Sequence, residues 1–395
     1  MIHRHGGDIY TYGNVIDFSA NINFRGMPAS VREAARGAVD ASEHYPDPDC
    51  RVLRRALARR EASFYGAQDI SPENLICGNG AAELMFALAA ACRPKRALLA
   101  VPSFFEYEQA LSAVGCEISR FGLKPENQFA LGEDFLEAAY QFSEKTVCMK
   151  ETAADTQRAA DRALAADLST ESDSMIILGN PNNPTGQLIE KEILVKLADL
   201  CRERRILLVL DESFIDFLSE EDWRRTIFGS HFQKYNPYLF VIRSFTKMYA
   251  MPGIRFGYGL STDRQLLEHM RRLMQPWNVS TIAQEAAAAA ASEEVFARES
   301  AAAVAQNREE MMSALQKAGF AVFPSCANFL LLRAPQGLSD ACLKEGFLIR
   351  DCGNFPGLFQ TGDGWGYFRV CVRSREENEA LLRVISPMGA ACPCQ

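Results

Sequence analysis

The stretch YLFVIRSFTKMYAMPGIRFGY, residues 238–258, joins an apolar run to a set of polar side chains. Lys247 follows the run, with Ser244 three residues before it and Arg255 eight residues after it. The run predicts a strand buried on both faces of a sheet. A lysine desolvated at such a strand end, near an arginine, would have a lowered pKa and a free amine able to attack a carbonyl. Serine and arginine are groups that hold phosphate, so the stretch predicts a reactive amine beside a phosphate site, although a lone lysine is by default a surface charge.

Composition and charge limit the classes of protein. The chain has 395 residues, 48% hydrophobic and 23% charged, which is ordinary for a soluble globular protein of two or three domains. A formal net charge of −8 argues against a nucleic-acid partner, because such proteins usually need a basic surface. No apolar run approaches the roughly 20 residues of a membrane span, and the N-terminus lacks the apolar core of a signal peptide. We expect a cytoplasmic protein without a membrane partner.

The twelve cysteines are scattered singly and form no CxxC pair. Several lie inside apolar runs such as LIC and FRVCV, which is typical of buried, reduced thiols in a cytosolic protein. Cys392 and Cys394 lie close together in a tail rich in proline, glycine and alanine. A metal or redox role stays open for this pair, and a frayed tail is the favoured interpretation. We therefore predict no metal site.

Short apolar runs between residues 74 and 260 predict the strands of one sheet: NLIC, RALLAV, CEISRF, MIILG, ILLVLD, YLFVIR and FGYGL. Their apolar residues are continuous rather than alternating, which favours a sheet covered on both faces. Helical patterns over 81–92, 105–114 and 190–204 separate several of these runs. Strands that alternate with helices favour a mostly parallel α/β domain.

The pattern changes after residue 262. Long helices are predicted over 264–275 and 279–318, followed by the strand-like runs AVF, NFLLLR, FLIRD and YFRVCVR. This succession predicts a smaller α+β domain. The chain is accordingly divided into an N-terminal arm over 1–44 that packs with the small domain, a large α/β domain over 45–262, a small domain over 263–388 and a tail over 389–395.

Polar residues follow several predicted strands, at the edge where ligands bind to open α/β sheets. NLIC is followed by GNGAAELM, a glycine-bearing turn into a helix whose free amides suit a phosphate. Phe104 follows RALLAV and would face a flat ligand, while NPNNPTG follows MIILG and offers asparagine donors. ILLVL ends in Asp211 and Glu212, where a carboxylate serves as a cap, a salt bridge or the counter-ion of a buried cation. Each feature alone has an ordinary structural explanation, whereas the whole set indicates one binding site.

That order of motifs resembles the fold-type I pyridoxal-phosphate enzymes, the aspartate aminotransferase superfamily, over nearly the whole chain. The strings NPNNPTG, DESFIDF and SFTKxxxxPGIRFGY carry the resemblance. It implies pyridoxal 5'-phosphate as cofactor, a large domain with a mostly parallel sheet flanked by helices, a smaller C-terminal domain, and a homodimer with shared active sites. It also implies that Lys247 binds the cofactor covalently and shuttles protons, and that Asp211 pairs with the protonated ring nitrogen.

The same resemblance implies the other cofactor contacts. Asn183 would donate to the phenolic oxygen of the ring, and Phe104 would stack on the ring. Tyr45 would reach the cofactor phosphate from the other subunit. Phe214 stands where the superfamily commonly has a tyrosine, so stabilisation of the ring oxygen would depend more on Asn183. The phosphate of the cofactor would be held within its own subunit by Gly80, Ala81, Ala82, Glu83, Ser244 and Arg255.

Two enzyme families of the superfamily share this pattern: histidinol-phosphate aminotransferase and the threonine-phosphate decarboxylase of cobalamin synthesis. The strings HGGDIY, DFSANIN, DESFIDF, FLIRDCGNFPGL and YFRVCVR resemble the second family. The resemblance implies decarboxylation of a small phosphorylated amino acid. Arg369 would bind the substrate carboxylate as a bidentate fork, and Arg350 would bind the substrate phosphate. Further substrate contacts would come from His5, Gly6, Gly7, Asn21 and Asn183.

The chain departs from the decarboxylase pattern at three places. NINFRG stands where the family usually has NINPLG, and Gly353 stands where it often has serine. The polar, alanine-rich segment 143–173, interpreted as an exposed helical insertion, is longer than usual. Threonine phosphate is the expected substrate, with serine phosphate, a histidinol-phosphate or related aminotransferase reaction, and a non-catalytic cofactor-binding protein as alternatives. Decarboxylation and transamination differ in which bond to Cα stands perpendicular to the ring, so the arginine that orients the carboxylate would decide between them.

Overall fold

The N-terminal segment contacts distant parts of the chain. The computed structural model describes residues 5–148, 172–224, 237–359 and 362–389. Its first elements are α1 (Ile9–Tyr12), β1 (Ile16–Asp17), α2 (Ala29–Asp40) and α3 (Arg51–Phe64). β1 pairs in parallel with Phe347–Leu348, and α2 packs against Thr281–Ala290. These contacts join the N-terminal segment to the C-terminal part of the chain, while the domain boundaries stay a prediction.

A seven-stranded sheet forms the centre of the described structure. Its strands are β2 (Leu75–Gly78), β3 (Arg96–Val101), β4 (Glu117–Gly122), β5 (Ser174–Gly179), β6 (Leu207–Asp211), β7 (Leu239–Ser244) and β8 (Gly257–Leu260). They lie in the order β2-β8-β7-β6-β5-β3-β4. β8 is antiparallel to both of its neighbours, whereas the other pairs are parallel. The carboxyl ends of the parallel strands therefore meet at one edge of the sheet.

Both faces of this sheet are covered, as the continuous apolar runs predict. Every residue of β3, β5, β6 and β7 is buried. Because side chains alternate between the faces of a strand, Leu208 and Leu210 pack in one core cluster and Leu207 and Val209 pack in another. The prediction of a mostly parallel α/β sheet is confirmed.

Helices connect the strands and begin at the edge where the parallel strands end. They are α4 (Ala81–Cys92), α5 (Phe105–Ala113), α6 (Glu133–Cys148), α7 (Lys191–Arg204), α8 (Glu220–Arg224) and α9 (Phe245–Met248). The helices predicted over 81–92, 105–114 and 190–204 agree with α4, α5 and α7 to within one residue. The first turns of α4, α5 and α9 follow β2, β3 and β7, which directs their residues to a common edge.

The C-terminal part of the chain builds a second, smaller sheet. Its elements are α10 (Arg264–Leu273), α11 (Thr281–Ala290), α12 (Glu294–Lys317), β9 (Ala321–Val322), β10 (Phe329–Pro335), α13 (Leu338–Lys344), β11 (Phe347–Leu348), β12 (Arg350–Asp351), β13 (Trp365–Cys371) and α14 (Arg375–Ile385). The four-stranded antiparallel sheet has the order β12-β13-β10-β9.

Two sequence predictions in this region are wrong in detail. The helix predicted over 279–318 is divided into α11 and α12, because Ser292 and Glu293 donate to carbonyls three residues back and close a turn. The single strand predicted for FLIRD is divided into β11, which pairs with β1, and β12, which pairs with β13. A short apolar run carries no signal of which partner strand each of its halves will meet.

Two predicted features lie outside the described residues: most of the insertion over 143–173, and the tail pair Cys392 and Cys394. Within the described ranges, no helix is both long and apolar enough to cross a membrane. The same ranges hold no group of His, Cys, Asp or Glu side chains arranged to bind a metal ion.

Candidate active site

A cavity of about 300 Å³ lies where the carboxyl ends of the parallel strands face the C-terminal sheet. This volume is in the range of small-molecule sites. Residues from the loops after β3, β5, β6 and β7 line it together with residues from β12, β13 and the N-terminal segment. The cavity brings together most of the residues singled out in the sequence: His5, Gly6, Asn21, Ala81, Ala82, Phe104, Asn183, Asp211, Ser244, Lys247, Arg255, Arg350 and Arg369.

Lys247 is held in place by the short helix that follows β7. Ser244 is the N-cap of this helix, and its hydroxyl accepts a hydrogen bond from the backbone N–H of Thr246 at 3.3 Å. Burial lowers the pKa of Lys247 to about 8, and the positive charges of Arg369 and Arg255 act in the same direction. The fraction of the amine that is neutral and nucleophilic near neutral pH is therefore far larger than in an exposed lysine.

Asp211 is the last residue of β6 and is buried at the base of the cavity. Its Oδ2 accepts a hydrogen bond from the hydroxyl of Tyr107 at 2.8 Å, and its Oδ1 accepts one from the backbone N–H of Ser213 at 3.0 Å. Burial raises the pKa of Asp211, while these hydrogen bonds and the charge of Lys247 oppose the rise. A buried carboxylate held in this way is suited to pair with a buried cation.

The start of α4 forms an anion cradle. Gly80 has φ +88°, a left-handed conformation that favours glycine, and a Cβ at this position would lie 2.6 Å from Nη2 of Arg255 and displace that guanidinium. Ala81 and Ala82 line the cavity, and amides in the first turn of a helix have no partner within the helix. Glu83 lies outside the lining, and its Oε2 accepts a hydrogen bond from the backbone N–H of Asn79 at 2.5 Å. It therefore braces the turn that presents the amides.

Three side chains shape the space between Lys247 and the cavity wall. Phe104 is half-buried at the start of α5 and lines the cavity. Oδ1 of Asn183 accepts a hydrogen bond from Nη1 of Arg369, which leaves the amide Nδ2 of Asn183 as a donor. Phe214 is buried and contacts Phe329 edge-to-face with ring centroids 5.0 Å apart, so it brings no hydroxyl to this wall.

Arg350 and Arg369 occupy opposed positions on the antiparallel pair β12 and β13. Arg369 is 6% exposed, its Nη2 donates to the carbonyl of Ser19 at 2.7 Å, and its Nε has no partner among the described residues. Arg350 donates from Nη2 to Oδ1 of Asn354 at 2.8 Å. Burial lowers the pKa of Arg369 to about 10, and the charge of Arg350 contributes. Like charges opposite each other are destabilising on a sheet, so this pair is suited to an anionic ligand.

The N-terminal segment closes one side of the cavity. The backbone N–H of Gly7 donates to Oγ of Ser19 at 2.7 Å, and Gly7 itself lies outside the lining. A Cβ at Gly6 would lie 2.2 Å from the carbonyl oxygen of Ser19, so this close approach requires glycine. Asn21 is 2% exposed, and its Oδ1 has no partner among the described residues. His5 is exposed and lines the cavity mouth.

Tyr45 lies outside the cavity of its own chain. It is 79% exposed and stacks on Trp277 with ring centroids 4.4 Å apart. The prediction that it reaches the site of a second subunit stays a prediction.

Among the cavity-lining residues that sequence reasoning missed, the following bear on its charged groups: Glu106, Tyr107, Ser213 and Asn354. The string PSFFEYE contains a usable signal for two of them. Helix α5 begins at residue 105, so its first turn lies at the ligand edge of the sheet and carries Glu106 and Tyr107 with it. No comparable local signal marks Asn354, because its role depends on the position of Arg350.

The residues present fit pyridoxal phosphate. Lys247, Asp211 and the helix-start residues Ala81 and Ala82 line one cavity, as an aldehyde-bearing, ring-containing phosphate requires. Gly80, the N-cap residue before them, lies outside the lining. Two buried polar atoms have no hydrogen-bond partner in the described ranges: Nε of Arg369 and Oδ1 of Asn21. They could therefore bind a second polar ligand, the substrate, next to the cofactor. Ser244 and Arg255, the other predicted phosphate contacts, also line the cavity.

The chain belongs to the aminotransferase class I and II family, whose family model matches residues 13–385. It is 35% identical to the threonine-phosphate decarboxylase of Salmonella typhimurium, with 96% of this chain and 95% of that protein covered. It is 26% identical to the adenosylcobalamin biosynthesis bifunctional protein CobDQ of Leptospira interrogans, covering 97% of this chain and 41% of that protein. The crystal structure of the histidinol-phosphate aminotransferase from Clostridium acetobutylicum superposes with a TM-score of 0.74 at 27% identity and covers 94% of this chain and 98% of that one.

The protein is therefore a pyridoxal-phosphate-dependent enzyme with the fold-type I architecture. When bound, pyridoxal phosphate supplies an electron sink for a bond broken at the substrate Cα. Lys247 and Asp211 both line this cavity, and the predicted roles are that Lys247 would hold and return a proton at that carbon and that Asp211 would stabilise a positive charge on the ring. The individual site assignments stay predictions.

Proposed function

We propose that the protein decarboxylates L-threonine O-3-phosphate to (R)-1-aminopropan-2-yl phosphate in cobalamin biosynthesis. The opposed arginines Arg350 and Arg369 in one cavity with Lys247 carry this proposal. A substrate with a carboxylate and a phosphate offers one anion to each guanidinium. The similarity to the threonine-phosphate decarboxylase of Salmonella typhimurium supports the same substrate.

The proposed roles follow from where each group lies. Arg369 receives the carboxylate, since it is buried beside Asn183 and retains an unpaired Nε. Arg350 and His5 receive the phosphate at the cavity mouth. The bond between Cα and the carboxylate breaks, carbon dioxide leaves, and Lys247 delivers the proton that replaces it at Cα. For this step the bond between Cα and the carboxylate would have to stand perpendicular to the cofactor ring, and the guanidinium of Arg369, by holding the carboxylate, would set that orientation.

The decisive experiment is a product assay with the purified holoenzyme and threonine phosphate. We expect equimolar carbon dioxide and aminopropanol phosphate. Serine phosphate, run in parallel, measures how much the substrate methyl group contributes. Absence of carbon dioxide from both substrates would overturn the proposal.

An aminotransferase activity is the second candidate, because the chain belongs to the aminotransferase class I and II family and shares its fold with a histidinol-phosphate aminotransferase. Transamination breaks the Cα–H bond instead, and the proton returns to the cofactor side. Incubation with histidinol phosphate and 2-oxoglutarate distinguishes the two reactions. Formation of glutamate in that mixture, without carbon dioxide from threonine phosphate, would favour the aminotransferase.

We also propose a homodimer in which Tyr45 completes the phosphate site of its partner. Its 79% exposure and its place outside the cavity of its own chain support this role. Mixing Lys247→Ala subunits with Tyr45→Ala subunits should restore activity at limiting cofactor, because one site of each mixed dimer then holds both native residues. No restoration above the sum of the two inactive parents would contradict shared sites.

We propose a cytoplasmic location, supported by the free thiols among the described cysteines, most of which are buried. Cell fractionation tests this assignment, and recovery of the protein outside the cytoplasm would contradict it.

A further inference from the structure

Glu106 is a carboxyl group in the cavity to which the proposed reaction assigns no role. It lies in the first turn of α5, and its side chain is 13% exposed. Its Oε1 is 3.5 Å from Nδ1 of His5. Its Oε2 is buried and has no hydrogen-bond partner among the described residues. A buried polar atom without a partner is rare in native structures and marks a place where a ligand atom fits.

The surroundings of Glu106 combine both signs of charge. His5 faces it from the N-terminal segment, Asp211 from β6, Lys247 from α9 and Arg350 from β12. Tyr107, on its own helix, donates its hydroxyl to Asp211, and burial raises its pKa, with the charges of Asp211 and Glu106 adding to the rise. His5 and Arg350, which line the same cavity as Glu106, are the groups proposed to hold the substrate phosphate. A phosphate held by them would therefore share the cavity with the Glu106 carboxyl group, whose Oε2 has no partner among the described residues.

The protonation state of Glu106 decides what it does to such a phosphate. An ionised carboxylate beside a phosphate repels it, whereas a protonated carboxyl donates a hydrogen bond. Burial raises the pKa of Glu106 to about 7, and the charge of Asp211 adds to the rise while Lys247 and Arg350 oppose it. The donor form is therefore available at and below neutral pH. Burial also lowers the pKa of His5, so its ring stays neutral near pH 7 and the proton remains on Glu106.

We propose that Glu106 is a specificity-determining residue that donates a hydrogen bond from Oε2 to the substrate phosphate. This inference rests on the proposed function, in which the phosphate lies between Arg350 and His5. It explains why a carboxyl group is tolerated in a cavity built for an anion. It also predicts that substrate binding is coupled to proton uptake above pH 7, because the bound phosphate favours the protonated carboxyl.

The first test is the pH dependence of KM for threonine phosphate. In the native enzyme, KM should rise above pH 7 by up to about tenfold per pH unit, since ionised Glu106 loses the donor and gains repulsion. Glu106→Gln keeps an N–H donor without a titrating proton, so its KM at pH 7 should stay within about threefold of native and should lose this rise. Glu106→Ala should raise KM about 10- to 100-fold at pH 7. Titration of Lys247 is common to all variants and cancels in the comparison.

Glu108→Gln is the matched control on the same helix. Glu108 pairs with Arg120 and lies outside the cavity lining, so the KM profile of this variant should keep the native rise. An unchanged alkaline rise in Glu106→Gln would contradict the inference. A loss of kcat in Glu106→Gln with an unchanged KM profile would also contradict it, because that result assigns Glu106 to proton transfer rather than to phosphate binding.

A binding experiment separates this inference from the proposed function. Phosphoethanolamine keeps the amine and the phosphate but has no carboxylate to lose. Calorimetry at pH 8, in buffers of different ionisation enthalpy, should show proton uptake on its binding to the native holoenzyme and less uptake in Glu106→Gln. Ethanolamine should show no difference between the two proteins. Failure of threonine-phosphate decarboxylation with this pattern intact removes the proposed reaction only, whereas equal proton uptake in both proteins removes the role of Glu106.

Discussion

The hydroxyl of Tyr107 donates a hydrogen bond to Oδ2 of Asp211 over 2.8 Å, although the two residues are 104 positions apart. The contact joins the first turn of α5 to the end of β6. A hydrogen bond to a carboxylate favours its ionised form, and an ionised Asp211 is what a cationic cofactor ring requires.

Tyr107→Phe removes this hydrogen bond and leaves the ring in place. We expect kcat to fall about tenfold with little change in KM, because the pKa of Asp211 rises further and a smaller fraction of the carboxyl group is ionised. Steady-state kinetics with threonine phosphate check the result. Tyr140→Phe, on the distant helix α6, serves as the control. Native kcat in Tyr107→Phe would mean that Ser213 alone holds Asp211.

Asp211→Asn should abolish most turnover without unfolding the protein. The amide fills the same buried space and accepts from Ser213, but it cannot neutralise a cation. We expect kcat to fall by at least about 100-fold. Circular dichroism and thermal unfolding report whether the fold persists. A variant that retains more than a tenth of native kcat would remove Asp211 from its assigned role.

Lys247 should be the single attachment site of the cofactor. Borohydride reduction of the holoenzyme makes the bond between cofactor and lysine permanent, and peptide mapping should then locate the label on Lys247. Lys95, which pairs with Asp173, is an internal comparison and should stay unlabelled. A label on any other lysine would overturn the site as described.

Attachment of the cofactor to cofactor-free protein should depend on pH through the amine of Lys247. Its pKa of about 8 means that the amine is protonated and unreactive below this value and free above it. The rate of attachment, followed by absorbance, should rise about tenfold per pH unit below pH 8 and level off above pH 9. A rate that keeps rising toward pH 10 would indicate a lysine with an ordinary pKa.

Arg369→Lys keeps the positive charge but loses the two-pronged geometry. We expect kcat/KM for threonine phosphate to fall about 30- to 100-fold, because one ammonium cannot hold Asn183, Ser19 and a carboxylate together. The ratio of carbon dioxide to the keto acid formed by transamination measures whether the variant still breaks the Cα–carboxylate bond in preference to the Cα–H bond. Arg333→Lys, on β10 and paired with Asp363, is the control for arginine loss in the same sheet. Native kcat/KM in Arg369→Lys would indicate that the substrate carboxylate binds elsewhere.

Much of the fold followed from local pattern. Continuous apolar runs predicted β3, β5, β6 and β7 to within a residue or two, because a strand buried on both faces has no polar alternation to obscure it. Prediction was weaker where a run is short. FLIRD contains two strands that pair with different partners, and nothing within five residues specifies that.

The sequence by itself determined the strands of the sheet and the order of motifs at its ligand edge, since each of these depends on residues near one another in the chain. The resemblance of those motifs to a known superfamily then singled out Lys247 and Asp211. Only the tertiary structure decided that Arg350 lies opposite Arg369, that Tyr107 holds Asp211 and that Glu106 faces His5. Such relationships join residues that are 19 positions apart for Arg350 and Arg369 and 104 positions apart for Tyr107 and Asp211. Burial at their meeting point, rather than residue type, sets the charge that each group carries there.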